Sequence, residues 1–225
     1  MKTKKIFLFW GIVFTFISFS QIAFAHQPRL IWEAVSSSNY PIIINNYDVS
    51  QAFYGIFKNS PEYYKVNVKQ LSDFHISLLV PDNSNAAVGV SAKVIALNST
   101  DSDTKIFLNG NKSEWKVYYE EFAGDFYLQG PEGERYLKPG EYLIEVSAEK
   151  NEGKYVLVVG QKESFPVGEA IRMILSLSKL KLVFFEEPIY MLAAGILGKL
   201  MASLLLFLLL LALMSLRKIR EKKTK

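Results

Sequence analysis

Glu141-Tyr142-Leu143-Ile144-Glu145-Val146 and Lys154-Tyr155-Val156-Leu157-Val158-Val159 are the stretches whose reading decides the fold. In the first, Tyr142, Ile144 and Val146 alternate with Leu143 and Glu145. In the second, Tyr155, Leu157 and Val159 alternate with Val156 and Val158. Period two is the mark of a pleated strand, whose successive side chains leave opposite faces. Between them Glu149-Lys150-Asn151-Glu152-Gly153 is rich in turn formers, so the sequence predicts an antiparallel hairpin across Asn151–Gly153 that closes a sandwich.

The same texture extends upstream. Tyr64-Lys65-Val66-Asn67-Val68 alternates, and Phe74-His75-Ile76-Ser77-Leu78-Leu79-Val80 runs into the turn chemistry of Pro81-Asp82-Asn83. Val88 to Leu97 is a further strand, stopped by the polar run from Asn98 to Asp103. Short strands with turn signals every 8–12 residues or so indicate an antiparallel β-sandwich or jelly roll. Leu137-Lys138-Pro139-Gly140-Glu141-Tyr142, continued by Gly153-Lys154-Tyr155-Val156-Leu157, resembles the closing strands of the bacterial pre-peptidase C-terminal domain. Glu62 to Val68 and Ile76 to Val80 sit where that family has its aromatic-rich strand and the next core strand. The resemblance spans about residues 45–160, and it implies a jelly-roll sandwich with an accessory, non-catalytic role.

After Gly160 the period changes. Pro166 and Glu169 suit a helix start, and Ile171, Ile174, Leu175 and Ser178 share one helical face, with Arg172, Ser176 and Lys179 on another. An amphipathic helix and juxtamembrane linker are expected over 163–188, with the helix buried against its own domain. Leu200 to Leu216 carries no charge and is followed by Arg217-Lys218-Ile219-Arg220 and further basic residues. That order predicts a transmembrane helix over 189–216 and a basic cytoplasmic tail over 217–225. Lys199, inside the apolar stretch, is placed to snorkel to the headgroups. At the other end, Lys2, Lys4 and Lys5, the apolar run Ile6–Phe19 and Ala23-Phe24-Ala25 read as a signal peptide over 1–25. The β-sandwich, 26–162, is therefore expected outside a cell membrane that the chain crosses once.

The formal charge of +4 belongs mostly to these address signals. The leader holds three lysines, and the tail six basic residues and one acid. Between His26 and Leu216, 17 basic residues face 21 acidic ones, a net −4. A nucleic-acid partner is thereby disfavoured. With no cysteine, the domain has neither disulfide staples nor thiol chemistry, and its roughly 160 residues must supply their own core.

The chain has two histidines, His26 and His75. Cleavage after Ala25 would make His26 the terminal residue, offering an imidazole and an amine together. With His75 this forms a candidate copper site, the ligand set of a histidine brace. His75 alternates with Phe74 and Ile76, which puts it on the polar face of its strand. Glu120, Glu121, Asp125, Glu132 and Glu134 offer oxygens but lack any calcium-loop spacing, and read as solvated loop acids. No Gly-x-Ser-x-Gly turn and no glycine-rich phosphate loop occurs. No cofactor is expected. Trp115, Tyr118, Tyr119, Phe122, Phe126 and Tyr127 are too dense in rings for all to point inward, so this stretch is a candidate binding surface for a protein or an envelope glycan. The reading is a non-catalytic binding module, with copper binding and a small carboxylate-dependent hydrolase as alternatives. Asn98-Ser99-Thr100 and Asn111-Lys112-Ser113 are glycosylation sequons.

Overall fold

The computed structural model describes residues 26–97, 104–164 and 166–223, with backbone only at 197 and 217–223. The expected signal peptide, the sequon at Asn98 and the end of the tail lie outside the described residues. Eleven strands form: β1 (Gln27–Leu30), β2 (Ile42–Ile44), β3 (Gln51–Ile56), β4 (Glu62–Val68), β5 (Ser72–Pro81), β6 (Ser91–Ala96), β7 (Thr104–Leu108), β8 (Lys116–Glu120), β9 (Asp125–Leu137), β10 (Gly140–Ser147) and β11 (Lys154–Val159). They make a six-stranded sheet in the order β1-β3-β11-β5-β9-β8 and a five-stranded sheet in the order β2-β4-β10-β6-β7. The β-sandwich expected from the alternation is the observed fold. Two pairings are parallel, β1 with β3 and β2 with β4, each at the edge of its sheet.

The expected hairpin is corrected. β10 pairs with β4 and β6, and β11 with β3 and β5, so the two strands belong to opposite sheets. Each already has a neighbour on both edges and can take no third. The segment 148–153 is an arch between the sheets. Asn151 (φ 49°) and Gly153 (φ 92°) take left-handed conformations there, and Asn151 Oδ1 accepts a bond from the Ala148 amide at 2.9 Å. A Cβ on Gly153 would come within 2.8 Å of the Ala87 nitrogen, so glycine is required on steric grounds as well.

Between the sheets Tyr64 and Tyr155 are fully buried, and their hydroxyls share a hydrogen bond of 2.7 Å. Phe53 meets Tyr64 edge-on at 5.5 Å, and Phe57 stacks on Tyr155 at 4.5 Å. Ile76, Leu78, Ile144, Leu157 and Val159 fill the space around them. Each large buried side chain contributes about 2 kcal/mol. Among the described residues, no buried side-chain nitrogen or oxygen lacks a hydrogen-bond partner.

A second apolar cluster covers the outer face of the six-stranded sheet. Helix α1 (Val167–Lys179) continues into a π-helical turn, Leu180–Phe185, that lays Leu180, Phe184 and Phe185 on Tyr54, Leu79, Val156 and Val158. Phe184 meets Tyr54 edge-on at 5.0 Å. Two lysines clasp the end of this strap. Lys154 Nζ donates to Glu186 Oε1 at 2.6 Å and to the Val183 carbonyl at 3.0 Å, and the wholly buried Lys181 donates to Glu187 at 2.9 Å. The helix is anchored as expected, but on the other arc. Met173 and Leu177 are buried, whereas Ile171, Ile174 and Leu175 are exposed. Both arcs are apolar, and the buried one is the arc in line with Leu180 and Phe184.

A second compact body joins 120–125 to the C-terminal segment. It holds a 3-10 turn, Ile189–Ala194, and helix α2 (Ile196–Lys223). The Ile196 amide donates to the Glu121 carbonyl at 2.8 Å. Within α2, Gly198–Leu216 is 19 residues long with a mean hydropathy of 2.4 and none of its window buried, a candidate membrane span.

Candidate functional site

The aromatic stretch divides in two. Trp115 is half-buried against the main core, donates its indole N–H to the Gly110 carbonyl at 2.9 Å, and lies over Gly130, where a Cβ would meet its ring at 2.5 Å. Phe122 is buried, and so is Tyr127, whose hydroxyl lies 3.0 Å from that of Tyr54 beneath the strap. These three rings are packed and leave the candidate surface: Tyr127 lies on β9 under the strap, while Trp115 and Phe122 lie off the strands, just before β8 and in the turn after it. Tyr118, Tyr119 and Phe126 remain exposed. Tyr119 and Val117 project from the same face of β8, at the sheet edge, and the Phe126 ring is 4.8 Å from that of Tyr119.

The two histidines lie in one lane of the six-stranded sheet, although 48 residues of chain separate them. The register explains how. Gln27 pairs with Gln51, Gln51 with Val159, and Val159 with Ile76, a row across four strands. One residue along, on the outer face, come His26, Ser50, Gly160 and His75. The Gln27 amide donates to the Ser50 carbonyl at 2.9 Å, and the Gly160 amide to the His75 carbonyl at 3.1 Å. His26 Nδ1 meets Ser50 Oγ at 2.5 Å, and His75 Nδ1 meets the Gln161 amide nitrogen at 3.0 Å. Desolvation, and then the charge of His75, hold His26 below the ordinary histidine pKa. Desolvation also lowers His75, against the opposing pull of Glu132 and Asp73. Beside them Glu134 is raised by its hydrogen bond to Asp73 and by that residue's charge. The sequence placed His75 on the polar face; that β1 and β5 share a sheet could not be read from it.

The loop acids do not assemble a cation site. The Glu120 carboxylate accepts the amides of Phe122 and Ala123, each at 2.8 Å, a turn-capping role, and Asp125 is buried. Among the described residues no group of three or more histidine, aspartate and glutamate side chains is arranged to hold a metal ion. An open polar cleft of about 770 Å³ near β2 and β4 is lined by Asn45, Asn46, Asp48, Lys65, Asn67 and Glu141, among others. Its two carboxylates are ion-paired, Glu141 with Lys65 at 2.7 Å and Asp48 with Lys162 at 3.7 Å.

No protein-family model and no curated protein sequence matches the chain. Among solved structures, a pre-peptidase C-terminal domain of a Bacillus anthracis collagenase is matched over 60% of this chain and 96% of that one, at 13% identity and a TM-score of 0.33. PliG from Aeromonas hydrophila, a periplasmic inhibitor of g-type lysozyme, is matched over 59% and 97%, at 12% identity and a TM-score of 0.36. CorA, a surface-associated copper-binding protein of Methylomicrobium album BG8, is matched over 53% and 80%, at 13% identity and a TM-score of 0.19. Likenesses of this size carry neither inhibition nor copper across to this chain.

Proposed function

We propose that this chain is a membrane-anchored extracytoplasmic binding module, not an enzyme, that presents the edge of its six-stranded sheet to a protein partner. The observation that carries this reading is the ring cluster at β8. Val117 is 66% exposed, Tyr119 37% and Phe126 53%; the first two lie on the outermost strand, β8, and Phe126 on its neighbour β9. Rigid rings give a large contact area at small entropic cost, and such anchors dominate protein recognition. The candidate span Gly198–Leu216 supports the anchor, and the leader-like first 25 residues support export.

A photo-crosslinking side chain placed at position 119 tests the reading in native membranes, with the same group at the exposed Ile43 of β2 as control. One discrete protein adduct at 119, absent at 43 and lost when Phe126→Ala is added, is the expected result. Equal labelling at both positions, or adducts to envelope glycan alone, would overturn it. For the topology, a reporter active only in the cytoplasm should work after Lys225 and fail after Gly160.

A further inference from the structure

We propose that the outward arc of helix α1, Val167–Lys179, lies in the headgroup region of the membrane that carries the chain, so that the sandwich rests on an anionic lipid surface. The inference rests on the membrane anchor read from Gly198–Leu216, but not on the ring cluster at β8.

The helix carries more apolar surface than its own domain uses. Met173 and Leu177 take the arc that, with Leu180 and Phe184, meets the sheet, and they are 9% and 4% exposed. Val167, Ile171, Ile174 and Leu175 fall at i, i+4, i+7 and i+8 and share a second arc, about a third of a turn from the first. Here Leu175 is 69% exposed and Ile171 54%. Leu182 and Val183, also exposed, follow in the π-helical turn. Arg172, Ser176 and Lys179 occupy the third side. A helix buried on one side ordinarily turns polar residues to the water across from it. Here a continuous apolar stripe stands between the buried arc and the polar one.

Chain connectivity and charge name the occupant. The candidate span begins at Gly198, 19 residues after Lys179, so a bilayer is tethered close to the stripe and a modest attraction suffices to hold it. Between stripe and span, Ile189 and Tyr190 are exposed as well, and tyrosine favours the headgroup level. The strap is basic where the domain is acidic. Arg29 and Arg172 both donate to Glu169, Lys154 pairs with Glu186 and Lys181 with Glu187, and Lys179 adds a fifth cation. Five cations against three carboxylates leave a net +2 there, although residues 26–216 together carry −4. An apolar stripe bordered by basic residues is the pattern of helices that lie in a membrane interface, and anionic lipids attract it. The long stems of Arg172 and Lys179 let their charges reach phosphates while Ile171 and Leu175 enter the acyl boundary. A second copy of the chain fits less well, since a stable dimer uses about 20–30 residues a side and this stripe offers Val167, Ile171, Ile174, Leu175, Leu182 and Val183.

The test uses the full chain, whose lack of cysteine lets a single introduced cysteine carry a nitroxide label. Ile171→Cys, Leu175→Cys, Leu208→Cys in the span and Ile43→Cys on β2 are labelled one at a time and reconstituted into vesicles of phosphatidylcholine and phosphatidylglycerol in equal parts. Relaxation of the label by oxygen, which concentrates in lipid, is compared with relaxation by a water-soluble nickel chelate. The expected result is a lipid-like ratio at 171, 175 and 208 and a water-like ratio at 43. Ile174→Asp should turn 171 water-like with the melting temperature unchanged, because Ile174 is exposed. Vesicles of phosphatidylcholine alone should move 171 and 175 towards water, and no movement would overturn the anionic preference. Water-like ratios at 171 and 175 beside a lipid-like 208 would overturn the proposal and leave the anchor standing, whereas a water-like 208 would overturn both. Dipolar coupling between labels at 175 that vanishes on dilution with unlabelled chain would give the stripe to a second copy and overturn the lipid assignment. Crosslinking at position 119 reads the β8 edge separately.

Discussion

The outer faces of the two sheets are built on opposite plans. On the five-stranded sheet, β4 and β6 alternate buried with partly exposed positions, and the outward side carries cross-strand ion pairs, Lys65 with Glu141 and Lys93 with Glu145. On the six-stranded sheet every residue of β11 is buried, because Tyr155, Leu157 and Val159 face the core while Val156 and Val158 lie under the π-helical strap. An apolar run with no polar positions is what a strand covered on both sides requires, and Lys154-Tyr155-Val156-Leu157-Val158-Val159 is such a run after its first residue. Beyond the strap the same outer face turns polar, and there the histidine lane lies. One sheet thus meets water along its length, and the other only beyond the strap, at β8, β9 and the lane of the histidines.

The largest effect should come from the core that both sheets share. Tyr155→Ala removes a fully buried ring and strands the Tyr64 hydroxyl, and should cost about 3–5 kcal/mol in denaturant unfolding. A loss below 1 kcal/mol would mean that the sheets do not depend on this contact. Phe184→Ala comes next, at about 3 kcal/mol, and should act on one sheet. Amide exchange should rise in β11 and β5 while β4 and β10 keep their protection. Equal loss in both sheets would erase the distinction between a covered face and a wet one.

The clasp should make the covered face sensitive to acid. Lys154 holds the Glu186 carboxyl below its ordinary value of 4.5, first through their hydrogen bond and then through charge. A carboxylate lowered in the folded state adds stability that is present above pH 4.5 and is lost as pH falls through the lowered value. Glu186→Gln should therefore flatten the acid limb of the melting-temperature profile, and an unchanged limb would remove Glu186 from the account. The smallest effect belongs to the wet face. Lys65→Ala breaks a half-exposed pair and should change stability by under about 0.5 kcal/mol. A larger loss would show that the five-stranded sheet also relies on its outer face.

The strands were largely legible because alternation is a local property. Residues 64–68, 74–80, 141–146 and 154–159 were read as strands from their alternation and lie in strands. What the sequence withheld is partnership. Asn151 and Gly153 serve an arch as well as a hairpin, and the difference lies in whether β4 and β6 already occupy the edges of β10. The helix was legible, but its anchored arc was not, because Ile171-Ile174-Leu175 and Met173-Leu177 are equally apolar. The division of the aromatic stretch has the same origin, since ring density does not say which rings will be packed. For the histidines, the polar face of His75 was legible and its lane was not, because three strand pairings, two of them between segments far apart in the chain, relate His26 to His75.

The arch at 148–153 also bears on how quickly the domain can form. A hairpin there would have let β10 and β11 zip together as soon as both existed. Instead Ile144 must wait for Tyr64 and Val94, and Leu157 for Phe53 and Leu78, so the closing strands find their neighbours only after long loops have closed. Loop closure of this kind costs chain entropy before any contact is gained, and sandwiches built this way fold in about milliseconds to seconds rather than microseconds. During that interval Lys154–Val159, with five apolar residues in a row, is exposed on both faces with neither sheet nor strap to cover it. The same segment that makes the finished structure tight is therefore the one on which an unfinished chain is most prone to stick to another.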